Sequence, residues 1–147
     1  LSVDEEALLP EDYVEDIGVR LSLYKRLASA SGEGEIEEIA VEMEDRFGPP
    51  PEAARRLVRL MRLKTELRAI RALGCEAPKK SVTLHLSEDT PIDPEKVLAL
   101  VHKKRSPWKL SPDMRITRRI DESEPVKGGL DAADLVLSEL ARCMKAS

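Results

Sequence analysis

Gly48-Pro49-Pro50-Pro51 puts a hard break into a stretch that otherwise repeats apolar residues every three or four positions from residue 16 to residue 73. Proline has no amide hydrogen to donate and biases the residue before it away from the helical region, so no helix runs through three in succession. Upstream, Ser31-Gly32-Glu33-Gly34 divides the stretch again, because glycine serves turns and left-handed helix caps. This punctuation predicts three helices. The first covers about 17–30, with Ile17, Leu21, Tyr24 and Leu27 or Ala28 on its apolar face. The second covers about 35–47, with Ile36, Ile39, Met43 and Phe47 inward. Its Glu35, Glu37 and Glu38 lie in the first turn, where negative charge suits the helix dipole. The third covers about 51–73 and steps through Ala53, Leu57, Leu60, Leu63, Leu67, Ile70 and Leu73. Pro51 near its start and Gly74 past its end fit the usual asymmetry of helix termini. Its near-heptad spacing makes an antiparallel helix partner plausible.

The texture changes after Gly74. Ser81-Val82-Thr83-Leu84-His85-Leu86 alternates and is β-branched at two positions, the pattern of a strand. Asp93-Pro94-Glu95 reads as an N-cap followed by proline in the first helical turn, opening a helix to about Lys104. Trp108-Lys109-Leu110 and Met114-Arg115-Ile116-Thr117 flank Ser111-Pro112-Asp113 as a hairpin. Residues 121–129 form a polar loop, and a last helix covers about 130–144. The expected architecture is α+β: a helical N-terminal half, then a β-α-β-β-α half with a small antiparallel sheet. Residues 1–15 are acidic and aperiodic, an arm whose Leu8, Leu9, Tyr13 and Val14 dock on the rest, and 16–147 form a single domain.

At 147 residues the chain is long enough for one real core. With 35% charged and 41% apolar residues it lies outside the range that signals disorder. No apolar run approaches the roughly 20 residues of a membrane-spanning helix, and no signal peptide opens the chain. A cytoplasmic location without membrane partners is therefore expected. Leu1 rather than Met stands first, and a piece of a longer protein is the expectation.

The catalytic inventory is short. There is no Gly-Lys pair, hence no phosphate-cradling loop, and Gly32 and Gly34 lack the third glycine of a dinucleotide fingerprint. His85 and His102 share no ligand-spaced partner, and Cys75 and Cys143 read as free thiols. Nothing resembling a nucleophile elbow surrounds any serine. The chain is expected not to be an enzyme, to hold no cofactor or metal, and to leave ATP unbound.

Charge is distributed unevenly. Residues 1–48 carry 14 acidic against 4 basic side chains, and residues 49–80 carry 3 against 9. Two constellations follow. Glu35, Glu38, Glu42 and Asp45 step by three, four and three along the second helix, with Arg46 four residues after Glu42. They form either a solvated face with one ordinary ion pair or a docking face for a basic partner. Arg55, Arg59 and Arg62 make a stripe on the third helix, with Arg68 and Arg71 further on. It is either a solvated face beside an acidic neighbour or a nonspecific contact to DNA phosphates. Aromatics are 3% of the chain, too few for a base-stacking surface.

The residues of the first half also resemble a family. Leu9-Pro10, Tyr13-Val14, Arg20-Leu21-Ser22-Leu23-Tyr24-Lys25-Arg26-Leu27-Ala28, Glu37-Glu38, Glu42, Asp45-Arg46-Phe47-Gly48 and Pro51 look like the C-terminal domain of bacterial transcription-repair coupling factors. The likeness is sharp over residues 9–73 and rests on the order of elements beyond Gly74. It implies a parent that is an ATP-driven double-stranded DNA translocase, displacing stalled RNA polymerase and recruiting excision repair. ATP and magnesium would then belong to motor domains outside this chain. It further implies a regulatory domain that packs on an N-terminal module similar to the damage-verification subunit. That contact would mask the surface used by the damage-recognition subunit. The family's contact residues carry over onto Glu42, Asp45 and Arg46, with Glu38 beside them.

Overall fold

The computed structural model describes residues 5–78 and 80–145. Among these are five α-helices and a four-stranded antiparallel sheet, an α+β fold. They fall into two compact units that divide inside a helix, one covering Glu5–Glu66 and the other running from Leu67 onward. The arm expected over residues 1–15 is, from Glu5, part of the first unit.

The first unit contains α1 (Ile17–Ala28), α2 (Glu33–Phe47) and most of α3 (Glu52–Ala69). Asp16 caps α1 by accepting a hydrogen bond from the Val19 amide at 3.0 Å. Gly48 ends α2 at φ +85°, a conformation that side chains with a Cβ rarely adopt, and its amide donates to the Glu44 carbonyl. Leu9, Val14, Leu23, Leu27, Ala30, Ile36, Ile39, Met43, Ala54, Leu57 and Met61 form one buried cluster. The arm thus docks through Leu9 and Val14, whereas Leu8 is exposed.

The inward face of α1 differs from the sequence reading. Ile17 is 65% and Leu21 60% exposed, Leu27 of the expected face is buried and Tyr24 half-buried, and Leu23, which that face did not include, is buried as well. Two apolar stripes run along this helix, and periodicity does not say which one the core takes. The core takes the stripe that continues through Ala30, beyond the helix end. Ile36, Ile39 and Met43 point inward as expected, but Phe47 is only partly buried. In α3, Leu57, Leu63 and Leu67 are buried, together with Ala54 and Met61, while Leu60 and Ala53 are half-exposed.

The helix expected to reach Leu73 stops at Ala69. Arg71 adopts φ +55°, which no helix continues through, and the chain turns directly into β1 (Ala72–Glu76). This strand pairs with β2 (Ser81–Leu86), which pairs with β4 (Arg115–Arg119), which pairs with β3 (Trp108–Leu110), all antiparallel. The sheet order is β1-β2-β4-β3, one strand more than the three predicted. A register shift between Ala72 and Gly74 leaves Leu73 on the outside, where the helical reading had placed it in the core. α4 (Pro94–Val101) packs against β3, and α5 (Gly129–Leu140) against β2. Both are shorter than the spans 94–104 and 130–144. A 3₁₀ turn, Ala141–Cys143, follows α5. Val82, Leu84, Leu86, Ile116, Leu130, Val136 and Leu140 are buried in this unit. Among the described residues, no helix is long and apolar enough to cross a membrane.

Candidate docking face on the second helix

Most of the residue string that resembles the family has a structural task. The Tyr24 hydroxyl accepts from the Leu9 amide at 2.7 Å, and Arg20 Nη1 donates to the Val14 carbonyl at 2.9 Å. Tyr13 donates its hydroxyl to the Gly48 carbonyl at 2.8 Å and sets its ring edge-on to Phe47, centroids 5.8 Å apart. Burial and the nearby Glu44 charge push the Tyr13 hydroxyl pKa up. These contacts staple the arm across the ends of α1 and α2. They account for Leu9, Tyr13, Val14, Arg20, Tyr24, Phe47 and Gly48.

Glu38, Glu42, Asp45 and Arg46 lie outside these staples. α2 turns Ile36, Ile39 and Met43 into the core, so these four charged residues lie along its outer side. Glu38, Asp45 and Arg46 are exposed and Glu42 is half-exposed. Glu42 receives a two-pronged contact from Arg26 of α1: Nη1 to Oε2 at 2.5 Å and Nη2 to Oε1 at 3.1 Å. Arg46 Nη1 also lies 3.5 Å from Glu42 Oε2, and its guanidinium sits 5.0 Å from the Phe47 ring centroid. The Arg26 hydrogen bond, with the Arg26 and Arg46 charges, holds the Glu42 carboxyl below the usual carboxylate range. Glu35, the fourth member of the acidic stripe, instead accepts from the Ser31 amide and hydroxyl at 2.8 and 3.0 Å. That pair ties down the turn before α2, and the Ser31 amide is the main cause of its lowered pKa.

The arginines of α3 lie beside α2. A groove of about 310 Å³ has Glu37, Val41 and Glu44 on one wall and Arg55, Arg59 and Arg62 on the other. Arg62 pairs with Glu37 at 2.9 Å, and Arg55 donates to the Pro50 carbonyl at 3.3 Å. The basic stripe therefore runs along a wall that faces glutamates, and Arg62 is already matched by one of them.

The second unit holds a cluster that sequence reasoning missed. Arg118 is buried at the strand position between Ile116 and Ile120. Its guanidinium donates to Glu139 at 3.0 and 2.9 Å, to Glu124 at 3.0 and 2.5 Å, and to the Arg119 carbonyl at 3.1 Å. It also lies 5.8 Å from the centroid of Trp108. Glu124 in turn accepts from the Asp121 amide at 2.8 Å, so the polar loop 121–129 is anchored to β4 and α5. The signal in the sequence was an arginine at an inward position of an alternating strand. The network is fully satisfied and has the character of a structural tie. Cys75 and Cys143 are free and buried, and burial pushes the Cys75 thiol up to about 11, away from reactive thiolate. His85 and His102 join no group of metal-ligating side chains among the described residues.

Comparison with known proteins gives a consistent picture. Residues 3–97 match the family model of the TRCF domain. The transcription-repair-coupling factor of Myxococcus xanthus is 33% identical over 137 residues, covering 93% of this chain and 11% of that protein. That of Escherichia coli (strain K12) is 36% identical over 118 residues, 80% of this chain and 10% of that protein. The chain thus spans about a tenth of the length of these curated relatives. A solved structure described as the C-terminal domain of transcription-repair coupling factor superposes with a TM-score of 0.70 at 18% identity. It covers 95% of this chain and 91% of that one, a likeness of fold.

Proposed function

This chain belongs to the TRCF domain family, and on that footing we propose that it is the regulatory C-terminal domain of a DNA translocase coupling stalled transcription to nucleotide excision repair. Its task is to dock on the parent's N-terminal, damage-verification-like module. While docked, it covers the surface that recruits the damage-recognition subunit and restrains the ATP-driven motor until RNA polymerase is engaged. ATP, magnesium and duplex DNA are handled by other domains of that parent, in the cytoplasm. One observation carries this reading. Within a string otherwise occupied with stapling the fold, Glu38, Glu42, Asp45 and Arg46 project outward from α2 and do nothing for the core. Charged, half-exposed faces of this kind make specific contacts that can be released, because interdomain interfaces of polar character are modest in strength.

The rival reading is a nonspecific DNA-binding module that uses Arg55, Arg59 and Arg62. The acidic wall opposite those arginines speaks against it, since phosphates brought to the groove would meet Glu37 and Glu44. Electrophoretic mobility of duplex DNA with the 147-residue chain separates the two readings. No retardation is expected at about 0.1 M salt, where screening leaves only multi-phosphate contacts effective. Retardation that weakens steeply with salt and disappears in an Arg55→Ala/Arg59→Ala/Arg62→Ala variant would favour the rival.

A further inference from the structure

Residues 101–120 carry Lys103, Lys104, Arg105, Lys109, Arg115, Arg118 and Arg119 against a single acid, Asp113, in a chain whose net charge is −4. All of them belong to the second unit. Arg115 is paired with Asp113 at 2.8 Å, and the buried Arg118 with Glu124 and Glu139. The other five are exposed, and none has an ion-pair partner among the described residues. The fold gathers them. Ser106 Oγ donates to the Leu100 carbonyl at 2.6 Å and accepts from the Trp108 amide at 3.1 Å, which fixes the turn that carries Lys103, Lys104 and Arg105 from α4 into β3. Trp108 and Arg118 are buried and face each other across β3 and β4, so Lys109 and Arg119, the next residue on each strand, point out on the opposite side. Arg119 and Arg105 line one recess of about 210 Å³, with Asp121 and Ser123. The carboxylates nearby do not cancel this charge. Glu122 is paired with Lys80, Glu76 lies on β1 at the far edge of the sheet, and Asp93 and Glu95 lie at the other end of α4. Asp121, and the one charge by which Glu124 and Glu139 exceed Arg118, stand against five cations and leave an excess of three.

Beside these cations the surface is apolar. α4 turns Val97 into the core and leaves Leu98, at 39% exposure, and Ala99 outside, about one turn before His102 and Lys103. An apolar spot rimmed by charge has the anatomy of a protein interface. A nucleic-acid backbone fits it less well. It would cover Leu98 without using it, bring phosphates up to Asp121, and find no exposed ring to stack on, Trp108 being buried. The basic run also lies wholly beyond residues 3–97, which the family model covers, so it is additional to the features that define the family. We propose that this end of the second unit binds an acidic, amphipathic segment of a partner protein. Its carboxylates meet Lys103, Lys104, Arg105, Lys109 and Arg119, and its apolar side chains cover Leu98 and Ala99. The cations set the approach and orientation of such a segment, and the apolar contact holds it once seated. None of these residues belongs to the α2 face, so the inference stands or falls apart from the docking reading.

The test is fluorescence anisotropy of the 147-residue chain with three labelled probes: a peptide of repeated Glu-Glu-Leu-Leu, a polyglutamate of the same length, and a DNA duplex of the same total charge. At about 0.1 M salt the Glu-Glu-Leu-Leu peptide should bind saturably, and more tightly than either of the others. Lys103→Glu/Lys104→Glu/Arg105→Glu should weaken it by about tenfold or more, since each reversal turns an attraction into like-charge repulsion. Lys109→Glu and Leu98→Ser should each weaken it by a smaller factor, and Arg55→Ala/Arg59→Ala/Arg62→Ala should leave it unchanged. The altered side chains are exposed, so melting temperatures should stay together; if the triple reversal melts lower, Lys109→Glu on the neighbouring strand decides the matter. Tighter binding of the duplex would make the surface a phosphate contact and overturn the proposal. Equally tight binding of polyglutamate would remove the apolar part and overturn it too. So would a peptide affinity that neither charge variant alters. Failure of every probe to bind at about 0.02 M salt, where screening is weakest, would leave only a solvated surface and overturn it as well.

Discussion

Replacing Glu124 and Glu139 together by Ala is expected to destabilise the sheet-containing unit by about 3–5 kcal/mol at neutral pH. The two carboxylates are the ion partners of Arg118, whose side chain is 7% exposed and which makes four hydrogen bonds to them. Without them a guanidinium that cannot release its proton stays in a poorly hydrated site with one backbone carbonyl for company. The large figure reflects that stranded charge and not the net worth of the network. Adding Arg118→Met to the double variant should therefore recover most of the loss, since apolar replacement of a buried ionic group is often neutral. Acid should act in the same direction. The Arg118 hydrogen bond holds the Glu124 carboxyl below its ordinary value, so its folded pKa lies under the unfolded one. Its contribution is complete above about pH 4.3 and drains as pH falls through the folded value. Urea unfolding of the parent chain and the double variant should show a stability gap that narrows between pH 5 and more acidic conditions. A gap of less than about 0.5 kcal/mol at pH 7, the scale of surface substitutions, would mean that the cluster is solvated and not a structural tie.

Leu27→Ala should cost about 2–5 kcal/mol, whereas Leu21→Ala should cost less than about 0.5 kcal/mol. Both leucines lie on α1, and the loss differs because Leu27 is fully buried in the first unit's core while Leu21 is 60% exposed. Leu27 loses its transfer free energy and leaves a cavity among neighbours that are themselves fixed. At Leu21, alanine's higher helix propensity offsets the little packing that is lost. Chemical denaturation of both variants measures the difference. Equal costs would restore the inward face that periodicity alone suggested.

That pair shows where the sequence was legible. The Gly-Pro-Pro-Pro break, the Asp93-Pro94 start and the alternation of residues 81–86 each act locally, through amide loss, capping and side-chain direction, and the elements sit where those signals put them. The choice between two apolar stripes on α1 is made by tertiary packing, which a helical period does not encode. The misread end of α3 has a similar cause. Leu67, Ile70 and Leu73 keep helical spacing across Arg71, but its positive φ interrupts the helix and β1 begins there. Four residues form β1 pairs with β2, a long-range contact that outweighs local preference. At the candidate site, the spacing of Glu38, Glu42, Asp45 and Arg46 was enough to place them on one side of α2. The Arg26 fork was not legible, because it joins residues 16 apart on different helices. The Arg118 cluster was missed for the same reason, its partners lying 6 and 21 residues away.

The docking account is tested most directly in the full-length parent with Glu42→Ala/Asp45→Ala/Arg46→Ala, by its affinity for the damage-recognition subunit in the absence of RNA polymerase. These side chains avoid the core, so the domain should stay folded, within about 0.5 kcal/mol of the unaltered chain. Truncating interface charges leaves their partners unpaired, at roughly 2–5 kcal/mol if the pairs are buried on docking. Even 2 kcal/mol shifts the closed–open equilibrium about thirtyfold. Affinity for the damage-recognition subunit should rise by a comparable factor, and basal ATPase with it, while Arg55→Ala/Arg59→Ala/Arg62→Ala should change either far less. Release by the arginine variant, with the Glu42/Asp45/Arg46 variant remaining closed, would move the docking surface to α3 and contradict the account.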